Sequence, residues 1–157
     1  MGGASRWWLH HALESLNQSL NGKLHIYKGE PQAILTKLAS ATSAQAVYWN
    51  RCYEPWRIVR DGEIKTALKS ADIEVQSFNG SLLWEPWQVL KKDQTPYKVF
   101  TPYYRRGCLS KVAPRKPLAA PKNINSVNVS KDSHSLNNLY LLPTIKWDTK
   151  MLSRWDI

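Results

Sequence analysis

Cysteine is nearly absent from this 157-residue chain, with Cys52 and Cys108 the only two. They share no metal-knuckle or redox spacing, so no disulfide framework is available, and both read as reduced thiols of a cytoplasmic protein. No apolar run approaches the roughly 18 residues of a membrane span. The opening Met1-Gly2-Gly3-Ala4-Ser5-Arg6-Trp7-Trp8 lacks the basic and apolar regions of a secretory signal. Gly2-Gly3 is the nearest thing to a glycine-rich phosphate loop, and it lacks the rest of that motif. His10, His11, His25 and His134 stand at no metal-ligand spacing, and no Ser/His/Asp or Cys/His order suggests a nucleophile. The sequence therefore offers no self-sufficient active site, and no metal.

Acidic residues are missing from one stretch in particular. The net charge of +10 is made mostly between Arg105 and Lys131, where seven basic residues meet no acidic one. Such a run suits nucleic-acid phosphates, and it equally suits a solvated linker. A small basic module for single-stranded nucleic acid is thus one reading of the chain.

What is abundant is tryptophan, eight in all, and twice it closes a Glu-Pro-Trp step. The first copy ends Ala46-Val47-Tyr48-Trp49-Asn50-Arg51-Cys52-Tyr53-Glu54-Pro55-Trp56, and the second ends Ser77-Phe78-Asn79-Gly80-Ser81-Leu82-Leu83-Trp84-Glu85-Pro86-Trp87. Proline suits the first helical turn, where its missing N–H costs nothing, and an acid before it complements the positive helix end. The first copy reads as strand, loop and helix start, with aromatic side chains at the carboxyl end of a strand. Ligands bind at that edge in α/β proteins, and the same rings would serve to pack helix on sheet.

Periodicity supplies the remaining elements. Leu9, Leu13, Leu16 and Leu20 mark one helical face, with Ser5 as N-cap and Gly22 as terminator. A strand over 24–27 is followed by a helix from Pro31, a continuous apolar strand at Ala46–Trp49, a helix from Pro55 to Ala71 with an Asp61/Lys65 pair, and a strand over 73–76. That order predicts an α/β fold: an incomplete Rossmann-like parallel sheet with flanking helices, followed by a long linker. The central strand is apolar throughout, as expected where both faces are covered. Three strands are too few for a doubly wound sheet, which suggests a chain that begins inside a domain. Residues 110–137, rich in Pro, Ser, Asn and Lys, read as an exposed interdomain linker. Apolar character returns in Leu139-Tyr140-Leu141-Leu142-Pro143 and Ile145-Lys146-Trp147.

Several of these segments together resemble the DNA photolyase/cryptochrome family. They are Arg6-Trp7-Trp8-Leu9-His10-His11-Ala12-Leu13, the two Glu-Pro-Trp runs with Arg60-Asp61 after the first, and Tyr97-Lys98-Val99-Phe100-Thr101-Pro102-Tyr103-Tyr104. The similarity is greatest to deoxyribodipyrimidine photolyases. It implies three parts: a partial antenna-binding α/β domain over 1–109, the linker over 110–137, and the start of a truncated FAD-binding helical domain over 138–157. The parent it implies is a light-dependent DNA-repair lyase, in which reduced FAD, excited by light, gives the electron that splits a cyclobutane pyrimidine dimer. The flavin contacts would lie in that helical domain, so the chain itself is expected to retain no cofactor and to contribute a scaffold. Its partners would be the missing FAD domain and, through the parent, damaged DNA, with no membrane. A cryptochrome photoreceptor is the alternative parent.

The resemblance also implies a sheet of order 3-2-1-4-5, with absent strands between 24–27 and 46–49. Each core Leu, Ile or Val left uncovered forfeits about 1.5–3 kcal/mol, against a typical stability of about 5–15 kcal/mol. A folate or deazaflavin antenna in the parent would place its cleft at Asn50, Tyr53, Glu54, Trp56 and Arg57. In folate-antenna relatives, an asparagine and a glutamate aligned with Trp56 and Arg57 contact the pterin. Neither is present here, so the usual folate hydrogen bonds are not expected, and Trp56 would either stack on a flat pigment or pack against the absent helical domain.

Overall fold

The computed structural model describes residues 1–121, 124–127, 129 and 133–149. These form two compact units, Met1–Ala44 with Asn123–Ile157, and Gln45–Lys122.

The first unit is built on two helices. Helix α1 spans Gly3–Ser19 with Gly2 as its N-cap, so the helix starts ahead of Ser5, the residue that the pattern assigned to the cap. Its chain reverses where predicted: Gly22 has φ +77° and its N–H donates to the Asn17 carbonyl at 2.8 Å. The buried side chains are Trp7 and His10, while Leu16 of the predicted leucine face is 46% exposed. The inward stripe is therefore rotated from the leucine row, because Trp7 buries more apolar surface than any leucine. Its indole N–H donates to Asp148 Oδ2 at 2.8 Å and its ring lies 6.4 Å from that of Trp147. Arg6 donates to the Tyr140 carbonyl. Helix α2, Pro31–Thr42, opens on Glu30, whose carboxylate accepts from the N–H groups of Gln32 and Ala33 at 3.0 and 2.6 Å.

Residues 24–27 do not form a sheet strand. Ile26 makes one antiparallel bridge to His134, whose N–H donates to the Ile26 carbonyl at 2.7 Å. Ser133 Oγ accepts from the Ile26 N–H, and the Tyr27 hydroxyl donates to the Val129 carbonyl. Alternating polarity reports a segment covered on one side, and among the described residues the cover comes from Val129, Ser133 and His134, with a single bridge.

The second unit holds the sheet. Strand β1, Ala46–Asn50, pairs in parallel with β2, Glu74–Phe78, in the register Ala46↔Glu74 to Asn50↔Phe78. Helix α3, Pro55–Ser70, connects them and buries Ile64 and Leu68, with Val75 buried in β2. The side-chain period of two places Val47, Trp49, Val75 and Ser77 on one face. Lys65 of α3 marks this as the helix side, since its Nζ lies over the Trp49 ring at 5.9 Å and reaches Ser77 Oγ at 3.3 Å. Lys65 is thus committed to the sheet, and Asp61 pairs instead with its neighbour Arg60 at 2.6 Å. On the opposite face Tyr48 and Phe78 meet ring to ring at 6.0 Å and remain 57% and 48% exposed. The apolar β1 run is therefore covered on one face within this unit, not on both.

Beyond β2 the chain runs through a three-residue turn of helix, Pro86–Gln88, and then α4, Phe100–Pro102, which passes directly into a wide π-helical segment, Tyr103–Cys108. Gly107 and Cys108 are buried on its inner side. A Cβ on Gly107 would stand 2.7 Å from Val89 Cγ1 and 3.1 Å from Tyr97, so only glycine allows this approach. Replacing Gly107 with Ala is expected to cost about 1–3 kcal/mol, as overpacking does. Gly62→Ala, on open α3 surface with nothing within 4 Å, should instead gain up to about 1 kcal/mol of helix propensity. Urea unfolding of the two variants should show opposite signs.

Candidate functional site

The carboxyl ends of β1 and β2 carry a connected polar cluster. Arg51 follows directly on β1; its N–H donates to the Phe78 carbonyl at 2.9 Å, extending the ladder by one rung. Its guanidinium donates to the Ser77 carbonyl at 2.9 Å and to Glu85 Oε1 at 2.7 and 3.1 Å. The Tyr53 hydroxyl donates to Glu85 Oε2 at 2.7 Å. Glu85 is 6% exposed, and it also closes a reciprocal capping box with Gln88, whose side-chain oxygen accepts from the Glu85 N–H at 2.7 Å. One buried carboxylate thus joins the end of β1, the loop after it and the second Glu-Pro-Trp turn. Burial, then the bond to Glu85, raise the Tyr53 hydroxyl above the ordinary tyrosine range.

The first Glu-Pro-Trp step behaves differently. Pro55 occupies the first turn of α3, but the Glu54 carboxylate makes no cap. It is exposed and stands 3.7 Å from the Arg57 guanidinium. Trp56 projects outward at 61% exposure, with the guanidinium carbons of Arg57 and Arg60 at 5.0 and 5.4 Å from its ring centroid. Arg57 also donates to Cys52 Sγ at 3.4 Å, and this contact and Glu54 hold its guanidinium charged above its ordinary range. Its Nε is buried and finds no hydrogen-bond partner among the described residues.

Of the five predicted site residues, the structure gathers Glu54, Trp56 and Arg57 at the start of α3. Tyr53 is turned to Glu85. Asn50 covers Gly80 so closely that a Cβ there would stand 2.4 Å from Asn50 Cγ. An exposed indole beside two guanidiniums, one with an unused buried N–H, fits a flat, negatively charged group. Sequence reasoning missed Arg51 and Glu85 as partners, since no local pattern links two residues 34 apart in the chain. Among the described residues no group of three or more His, Cys, Asp or Glu side chains is placed to hold a metal, and no helix is long and apolar enough to cross a membrane.

The sequence model of the DNA photolyase family matches residues 1–122. The chain is 39% identical over 147 residues to a deoxyribodipyrimidine photo-lyase of Agrobacterium fabrum, covering 92% of this chain and 30% of that protein. It is 38% identical over 134 residues to Cryptochrome-1 of Arabidopsis thaliana, covering 83% of this chain and 20% of the relative. Among solved structures, a bacterial class III photolyase from Agrobacterium tumefaciens superposes with a TM-score of 0.88 at 37% identity, over 98% of this chain and 32% of that one. The chain therefore spans about a third or less of the length of these relatives.

The buried carboxylate generates a pair of expected outcomes. Tyr53→Phe removes one hydrogen bond to a charged group, worth about 1.5–3 kcal/mol. Because folding raises the Tyr53 pKa, the stability from this bond is complete below the ordinary tyrosine value of about 10. It is lost as pH rises through the higher folded-state value. Urea unfolding from about pH 8 to 11 should show the wild-type chain and Tyr53→Phe converging at the alkaline end.

Proposed function

The chain belongs to the DNA photolyase family, and on that premise we propose that it is the antenna-side scaffold of a light-dependent DNA-repair lyase. Its domain plan is then a partial α/β domain over 1–109, a linker over 110–137 and the entry to a helical FAD domain over 138–157. When bound in that helical domain, FAD supplies the light-driven electron that opens a cyclobutane pyrimidine dimer. No step of that reaction is routed through the residues described above. Their role is to hold the α/β layer and to present the aromatic edge at the start of α3. The partners are the helical domain of the same parent and, through it, damaged DNA. Free thiols at Cys52 and Cys108 support a cytoplasmic setting.

The single observation that carries this reading is the fold match at 37% identity over 98% of the chain. The Trp56–Arg57–Arg60 group supports an antenna cleft formed by Asn50, Tyr53, Glu54, Trp56 and Arg57. Stacking on Trp56 and donors from Arg57 would orient a planar anionic pigment such as a folate or deazaflavin. A second reading, a cryptochrome photoreceptor, is favoured by the 38% identity to Cryptochrome-1.

Three measurements test the proposal, two on a parent carrying this segment joined to its helical domain and one on the chain itself. Blue light should convert cyclobutane dimers to monomers; flavin photoreduction without dimer loss would favour the cryptochrome reading. The 157-residue chain supplied with FAD should bind none in a stoichiometric, spectroscopically yellow form, and stoichiometric flavin would overturn the domain plan. Trp56→Ala in the parent should lower pigment retention by about tenfold while unfolding of the α/β layer changes by less than about 0.5 kcal/mol, as for an exposed side chain.

A further inference from the structure

We propose that the second unit carries a surface for single-stranded nucleic acid, formed by the stacked rings of Phe100 and Tyr104 and the cations Arg105, Arg106, Lys111 and Arg115. The inference is independent of the repair reading, because it requires neither flavin nor light nor a lesion.

Two observations meet in one segment. Phe100 and Tyr104 lie one turn apart with ring planes within 4° of parallel and centroids 5.8 Å apart. Both face solvent, Phe100 at 73% exposure and Tyr104 at 45%. Phe100 contributes little to the core of its unit, and its ring stacks on Tyr104. The opposite side of the segment anchors its backbone: Gly107 and Cys108 are buried, Gly107 abuts Val89 and Tyr97, and the Leu109 N–H donates to the Tyr104 carbonyl at 3.0 Å. An outward π-face of this kind accepts any unpaired base, since every base has a flat face.

The second observation is charge. Between Asp93 and Asp132 the chain has no acidic residue and eight basic ones. Arg105, Arg106, Lys111 and Arg115 are all exposed, and none is in an ion pair with a carboxylate among the described residues. Exposed guanidinium and ammonium groups without internal partners are free to neutralise phosphates, and aromatic rings beside them select a strand whose bases are not already stacked inside a duplex. Arg105 and Arg106 follow Tyr104 directly in the π-helical segment that α4 leads into, and Lys111 and Arg115 follow it in sequence, which combines the two features within one stretch of chain.

The test uses the 157-residue chain in the dark with an undamaged fluorescent oligo(dT) about 20 nucleotides long, an abasic strand of the same length, and a duplex. Anisotropy should show salt-dependent binding of oligo(dT), about tenfold weaker binding of the abasic strand, and weaker binding of the duplex. Phe100→Ala and Tyr104→Ala should each weaken oligo(dT) binding by about tenfold with the salt slope unchanged, while Tyr104→Phe retains affinity. Arg105→Gln with Arg106→Gln should reduce the log–log salt slope by about 1.4, two charges at about 0.7 each. Circular dichroism of these surface variants should match the wild type. Absence of binding at low salt overturns the proposal. So does equal affinity for oligo(dT) and the abasic strand, which would mean charge without stacking, and so does equal affinity for the duplex. None of these failures bears on dimer repair by the parent, so the two readings stand or fall separately.

Discussion

The Glu85 carboxylate is the constraint on which the second unit depends. It is buried beside a two-stranded sheet, where an unpaired charge would be strongly destabilising. Two hydrogen bonds from Arg51, one from Tyr53 and the capping box with Gln88 offset that cost. Arg51 is itself anchored by the Ser77 carbonyl and lies 5.7 Å from the Trp87 ring centroid. The ends of both strands, the loop after β1 and the Pro86–Gln88 turn are therefore tied through one side chain. A two-stranded sheet is marginal in isolation, and this clamp, with α3 packed on one face, defines where its strands end.

The three Glu-Pro steps show how one local pattern is put to different use by its surroundings. At Glu30-Pro31 the carboxylate caps the helix it precedes. At Glu54-Pro55 it leaves the helix uncapped and sits by Arg57 in solvent. At Glu85-Pro86 it turns into the protein and the helix that follows is only three residues long. Proline at the first helical position is common to all three, because its fixed φ and missing N–H suit that position wherever it occurs. Where the carboxylate points is decided by the nearest cation and by burial. Exposed Glu54 meets Arg57 across one turn, whereas Glu85 meets Arg51 from a strand 34 residues away in sequence.

The sheet explains the distribution of aromatic surface in the same terms. One helix connects β1 to β2 and covers the face of Trp49 and Val75, which leaves the Tyr48–Phe78 face open within the unit. Trp56 stands at the exposed start of that same helix, and Phe100 and Tyr104 on the outer side of the later one. Each follows from which side of its element is held by packing: Leu68 and Ile64 for α3, Gly107 and Cys108 for the π-helical segment.

The amino-acid sequence by itself determined the family, the α/β class, the start of α2 and α3 at their prolines, the reversal at Gly22 and the two strands 46–50 and 74–78 to within a residue or two. These rest on local rules, proline and glycine geometry and hydrophobic period, which need only neighbours in the chain. Tertiary structure decided the rest. The leucine row of α1 was legible, but its inward stripe was set by Trp7 meeting Asp148, a partner 141 residues away. The strand expected at 24–27 makes, among the described residues, a single bridge to His134, 108 residues beyond Ile26 in the chain. Lys65 left Asp61 for Trp49 and Ser77. In the site, Trp56 and Arg57 were visible from their motif, while Arg51 and Glu85 were not, since burial and pairing of a charge depend on distances that sequence separation does not encode.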